Sequence, residues 1–251
     1  MIEVLILSLV QGVTEYLPIS SSSHLIIISK LINFQEQSLS IDVSLHIGSF
    51  IAVLVYFKND LINFYKNKKL FLKIIISSIP VIFVGYILVQ TNLFEELRNI
   101  KTIGWMTFIF GILLYISDKF KLKKDLYKDL NIKSAILIGL FQVLSLVPGV
   151  SRSGITITAA RFLNFKRFDA AKISFLLSIP TLGAVSFFGI FNLMKSADLN
   201  FSFLNLLSIF LSFIFSYLTI KFFLNFIKKF DLKVFVIYRV ILGILILIIA
   251  Y

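Results

Sequence analysis

Twice in this chain an apolar stretch is broken by a proline and a cluster of serines. Pro18-Ile19-Ser20-Ser21-Ser22-Ser23-His24 interrupts residues 2–30, and Pro148-Gly149-Val150-Ser151-Arg152-Ser153-Gly154 interrupts residues 134–165. The two prolines lie 130 positions apart, and the same offset relates Ser44 to Ser174 and Phe57 to Phe187. Proline ends or redirects a helix. Neither half of a broken stretch is long enough to cross a bilayer, which takes about 20 helical residues. Each stretch is therefore expected to be a re-entrant helical hairpin. Irregular backbone at that depth is tolerated only where protein or a wet cavity surrounds it. Ionisable groups there carry a functional reading by default.

A bilayer is invoked because the chain cannot be hidden from one. Of 251 residues 58% are hydrophobic and 15% charged, and Phe alone occurs 28 times. A water-facing surface cannot absorb that much apolar area. Length suggests one membrane domain over 1–251. There is no cysteine, which removes disulfides, a thiol nucleophile and thiolate metal sites. Met1-Ile2-Glu3-Val4 offers no basic start, so no removable signal peptide is expected.

Six unbroken stretches can span, near 40–57, 71–90, 102–118, 170–193, 203–224 and 234–251. The third is the shortest and is expected to lean on Lys119 at its end. The segments after spans one, three and five and after the second hairpin are rich in lysine. They include Lys66, Lys68 and Lys69, then Lys121, Lys123 and Lys124, then Lys166 and Arg167, then Lys228 and Lys229. The remaining loops carry little net charge. Positive-inside logic puts the first set in the cytoplasm and both termini outside. That placement accounts for most of the net charge of +12 and argues against nucleic-acid binding. The expected fold is an all-α integral membrane protein of six transmembrane helices plus two re-entrant hairpins. Its halves, approximately 1–130 and 131–251, are repeated in inverted topology. Broken helices in inverted repeats present their ends to ionic substrates.

The turns carry the chemistry. Gln11 and Glu15 are four apart and share a helix face. Ser20, Ser21, Ser22 and Ser23 are good caps for a helix resuming at His24, and a helix N-terminus is an anion site. In the second turn Ser151 and Ser153 can cap, and Thr156 follows one turn on. Arg152 adds a fork suited to phosphate. Unpaired at mid-span it would cost about 2.5–3.5 kcal/mol, so either Glu15 or an anionic ligand should offset it. Hydroxyls, an imidazole, a carboxylate and a guanidinium are the groups that phosphoryl transfer uses.

Gln11-x-x-x-Glu15 with Pro18-x-x-Ser21-x-x-His24, followed by Pro148-Gly149-x-Ser151-Arg152-Ser153-Gly154-x-Thr156, resembles the undecaprenyl-diphosphatase (bacitracin-resistance) family. The likeness covers almost the whole chain. It implies a bacterial inner-membrane hydrolase that converts undecaprenyl diphosphate to undecaprenyl phosphate, recycles the carrier lipid of peptidoglycan synthesis and confers bacitracin resistance. It implies Glu15, Ser21, His24 and Arg152 as catalytic residues, and Ser20, Ser22, Ser151, Ser153 and Thr156 as phosphate contacts. It further implies a divalent cation, Mg²⁺ ahead of Ca²⁺, held by Gln11 and Glu15. Many members have Glu where this chain has Gln11, so the cation would meet an amide oxygen here. Bacitracin would compete for the lipid rather than bind the protein, and a homodimer is compatible.

The nucleophile is left open among Ser21, His24 and water, since a capping serine needs no further explanation. His46 reads as a packed polar residue or a cavity-lining one. Arg161, Tyr238 and Arg239 read as anchors or interhelical pairing groups. Topology alone also suits a carrier or flippase for phosphate or a polyprenyl phosphate lipid. The other membrane lipid-phosphate phosphatases need a Pro-Ser-Gly-His block and more histidines than His24 and His46, which excludes them.

Overall fold

The computed structural model describes residues 1–32, 39–66, 68–91, 97–195 and 202–251. Among them the protein is helical, and the one β-bridge, Lys124 with Phe165, is isolated. Five helices are long and apolar enough to span a membrane: α5 (Lys68–Gln90), α6 (Ile100–Asp118), α10 (Arg167–Lys195), α11 (Phe203–Phe226) and α12 (Lys233–Ala250). The remaining expected span is α3 (Leu39–Tyr56), a shorter apolar helix of 18 residues. Observed ends lie within three residues of those expected from hydropathy. Local chemistry sets several of them. Asn99 caps α6 by accepting from the Thr102 N–H, and Ser202 and Asn205 form a capping box on α11, each filling orphan donors of a first turn.

Both broken stretches are broken where the prolines predict. The first gives α1 (Ile2–Thr14) and α2 (Ser21–Ile32). The second gives α8 (Ile132–Val143), a short 3₁₀ turn over Leu144–Leu146, and α9 (Arg152–Phe162). Two small helices, α4 (Lys58–Lys66) and α7 (Leu126–Asp129), lie in the lysine-rich segments.

The packing is paired. Helix α1 lies against α11 and α8 lies against α5, while α3 packs on α10 and α6 on α12. Two glycines make the first two contacts close. A Cβ on Gly12 would sit 2.4 Å from the Phe215 Cβ, and one on Gly139 would sit 2.2 Å from the Ser77 carbonyl oxygen. Around Tyr16, Phe57, Phe175 and Phe223 a buried aromatic cluster fills the interior. Outward faces present Phe83, Phe187, Phe210 and Ile248, the surface lipid requires and water would penalise.

Candidate active site

Each turn contains a serine in a backbone conformation that L-residues avoid. Ser20 has φ 77° and Ser151 has φ 71°, and Gly149 beside it has φ 100°. Left-handed backbone costs a non-glycine residue roughly 1–2 kcal/mol, and such strain gathers at functional sites. The two serines also revise the register of the repeat. Pro18 precedes its strained serine by two residues and Pro148 by three, so the turns correspond at an offset of 131 rather than 130. Structurally, Ser151 matches Ser20, and Arg152 matches Ser21 as first residue of its helix. Gln142 then matches Gln11, and both side chains are fully buried.

The strained serines point their neighbours inward. Ser151 Oγ caps α9 by accepting from the Gly154 N–H at 3.1 Å. Ser20 Oγ lies 3.3 Å from Ser22 Oγ and 3.0 Å from Ser23 Oγ. The turns meet directly, because Ser153 Oγ donates to the Leu17 carbonyl at 2.7 Å. Across that contact Arg152 Nη2 donates to Glu15 Oε1 at 2.8 Å. The other carboxylate oxygen, Oε2, accepts from Ser21 Oγ at 2.6 Å and Gln11 Nε2 at 3.1 Å. Glu15 is buried, whereas Ser21 is half-buried and Ser22 exposed. The group therefore reaches the surface on the serine side.

Arg152 is held from two further directions. Its Nη1 donates to the Ser174 carbonyl at 3.4 Å, and its guanidinium lies 6.0 Å from the centre of the Tyr16 ring. Thr156 does not join it. That hydroxyl donates to the Arg152 carbonyl at 2.8 Å and lies 2.7 Å from Ser174 Oγ, inside the packing of α9 on α10.

His24 also turns away from the carboxylate. Its Nδ1 lies 2.7 Å from the Ser20 carbonyl and its Nε2 2.6 Å from the Tyr238 hydroxyl, with the two rings stacked. A carbonyl only accepts, so Nδ1 donates to it, while Nε2 pairs with the Tyr238 hydroxyl. The imidazole near Glu15 is that of His46, whose Nδ1 lies 3.1 Å from Gln11 Nε2.

Arg239 was read from the sequence as an anchor or an interhelical pairing group, and it pairs more widely than between helices. It is fully buried and donates to the carbonyls of Pro18, Gly149 and Val150 in the two turns, and of Met106 and Thr107 in α6. One side chain thus ties both breaks to each other. No sequence pattern signals this, because its partners are backbone atoms.

For a cation the donors are few. Among the described residues no three His, Cys, Asp or Glu side chains gather. Both oxygens of Glu15 already accept hydrogen bonds, and Arg152 stands beside them. Gln11 Oε1, however, is buried with no protein partner. The donor set fits a cation that brings most of its own oxygen ligands, as Mg²⁺ does with waters and substrate phosphates.

Comparison with known proteins gives one consistent family. The family described as bacitracin resistance protein BacA matches residues 4–245. An undecaprenyl-diphosphatase of Pelagibacter ubique (strain HTCC1062) is 52% identical, over 100% of this chain and 98% of its own. Undecaprenyl-diphosphatases of Jannaschia sp. (strain CCS1) and Teredinibacter turnerae are 39% and 38% identical, over 98% and 99% of this chain and 97% and 98% of their own.

Proposed function

The chain belongs to the bacitracin resistance protein BacA family, and we propose that the joined turns are the site at which it hydrolyses its lipid. It is an integral membrane undecaprenyl-diphosphate phosphatase. It releases phosphate and leaves undecaprenyl phosphate, the carrier recycled for peptidoglycan synthesis.

The observation that carries the mechanism is the continuous chain Ser21 Oγ–Glu15–Arg152 across the two breaks. Ser21 and Glu15 have the geometry of a nucleophile and its base. Glu15 takes the hydroxyl proton as Ser21 Oγ bonds to the terminal phosphorus. The bridging P–O bond breaks and undecaprenyl phosphate leaves with that electron pair. Glu15 passes the proton it took to the departing phosphate oxygen, so it is again a base when water attacks the phosphoserine. It takes the water proton, the Ser21 P–O bond breaks, and it returns that proton to Ser21 Oγ as phosphate is released. Arg152 exchanges one carboxylate contact for the transferred phosphoryl oxygens, with N–H groups at the starts of α2 and α9 beside it. His24, held on Ser20 and Tyr238, fixes the turn from which Ser21 projects. A divalent cation, Mg²⁺ ahead of Ca²⁺, would be held by Gln11 Oε1 and Glu15, and when bound would neutralise charge on the diphosphate.

The same reading sets the enzyme in a bacterial inner membrane with six spans and the lysine-rich segments cytoplasmic. The first hairpin enters from the external side, where the site opens, and the second from the cytoplasm. The matched packing of α1 on α11 and of α8 on α5 supports an inverted repeat of halves 1–130 and 131–251.

The test is phosphate release from undecaprenyl diphosphate by purified protein, with Mg²⁺ and with EDTA. Ser21→Ala and Arg152→Ala are each expected to lower kcat by about a hundredfold or more. Chelation should lower the wild-type rate. Acid quenching with labelled substrate should trap phosphate on Ser21. A Ser21→Ala rate equal to wild type would pass the attack to water.

A further inference from the structure

Away from the joined turns, a cavity of about 770 Å³ opens on the lysine-rich face. Its wall runs from the end of α6 through residues 119–123 to the starts of α10 and α12. Along α6, Thr107 (at the Arg239 clamp) and Asp118 (at the cavity) are 11 residues apart, roughly 17 Å of helix. The cavity is thus distinct from the active site.

Its charge is unbalanced. Asp118 and Asp231 are its only acids among the described lining residues, against Lys119, Lys121, Lys123, Arg167 and Lys233. Both acids are already engaged. Asp118 accepts from Arg167 at 2.7 and 3.0 Å and from the Leu232 N–H at 3.3 Å, and Asp231 pairs with Lys233 at 3.0 Å. Lys119, Lys121 and Lys123 are exposed, and no carboxylate among the described residues pairs with any of them.

The segment bearing these lysines is fixed from behind. The fully buried Arg161 donates to the carbonyls of Asp118, Phe120 and Lys121, the first of these at 3.1 Å. Phe120 stacks edge-on against Phe162 with ring centres 5.1 Å apart, and the Lys123 N–H donates to the Asn164 carbonyl at 3.0 Å. Lysines alternate here with Phe120 and Leu122, both large, apolar and exposed. An ordered wall of cations interleaved with apolar side chains, at the ends of spanning helices, matches a phosphate head joined to acyl chains.

We propose that this cavity is a second phosphate-binding site, on the opposite face from the serine-rich opening, that takes the head of an anionic phospholipid. Inorganic phosphate offers the same charge without the chains, so the two sources need separate arms. The inference does not depend on how the active site works.

The experiment is native mass spectrometry of the intact protein released from nanodiscs of phosphatidylcholine with and without phosphatidylglycerol. It is paired with titration of detergent-purified protein by inorganic phosphate. Wild type should retain phosphatidylglycerol but not phosphatidylcholine. The exposed exchange Lys119→Gln/Lys121→Gln/Lys123→Gln should lower retention by about fivefold per lysine. A control with equal charge loss outside the cavity, Lys128→Gln/Lys133→Gln/Lys229→Gln, should retain as wild type does. Saturable phosphate binding lost in the cavity variant, without lipid preference, would establish the site and overturn the lipid assignment. Equal loss of lipid in both variants, or no loss in either without phosphate binding, would overturn the site.

Discussion

A guanidinium with no carboxylate beside it among the described residues helps hold the two breaks of this protein together. Arg239 offers its donors to five carbonyls, and three of them, on Pro18, Gly149 and Val150, lie in turns that inside a membrane would otherwise leave them unsatisfied at several kcal/mol each. Arg239→Met is expected to lower the thermal midpoint severely. Arg239→Lys should fold but lose kcat more than KM, since a point charge cannot span the same acceptors. Glu15 and Arg152 form a different kind of pair, two ions that each need the other. Removing either alone should cost about 3–5 kcal/mol. In a double-mutant cycle, Glu15→Gln with Arg152→Gln should be clearly more stable than the two single losses added. This pair was legible in the sequence only as one of two alternatives, because an arginine at membrane depth demands an anion and either Glu15 or a bound phosphate could supply it. Arg239 was not, because carbonyl partners leave no mark in residue identity. Nor was the His24–Tyr238 contact, which joins positions 214 residues apart.

The elements were legible where hydropathy decides them and illegible where backbone geometry does. Spans and breaks followed from apolar length and from Pro18 and Pro148. The extra residue in the second turn did not, because a serine at positive φ looks like any other serine. That strain is measurable. Ser20→Gly should keep or slightly raise stability by thermal unfolding, since glycine relieves the left-handed penalty. Ser20→Val should lose about 1–3 kcal/mol. Between elements a second polar tie closes the lysine-rich side. Lys172 on α10 lies 2.7 Å from both Asp60 of α4 and Tyr127 of α7. Burial, then the Asp60 hydrogen bond, pushes the Tyr127 phenol up from its usual range. Lys172→Met should therefore loosen α4 and α7 together, read as faster amide exchange in both, while α1 and α11 stay protected.

At the scale of the molecule, the natural absence of cysteine makes the proposed layout directly testable. Lys123→Cys should react with an impermeant maleimide only from the cytoplasm, and Thr91→Cys and Tyr251→Cys only from outside. Lys123→Cys and Thr91→Cys labelling from the same face would overturn the six-span arrangement. Net charge and loop composition are the observations from which that layout is proposed. The cavity on the basic face was not readable, since lysines that orient a protein and lysines that line a pocket look alike in a loop. The clamp described above also fixes an order of events in synthesis. Glu15 and Arg152 leave the ribosome first, and Arg239 follows Arg152 by 87 residues, roughly ten seconds at common elongation rates. A nascent chain can thus insert both hairpins with their carbonyls still unclaimed. The candidate site gains the tie between the carbonyls of its two turns only when α12, the last described helix, enters and its arginine finds both.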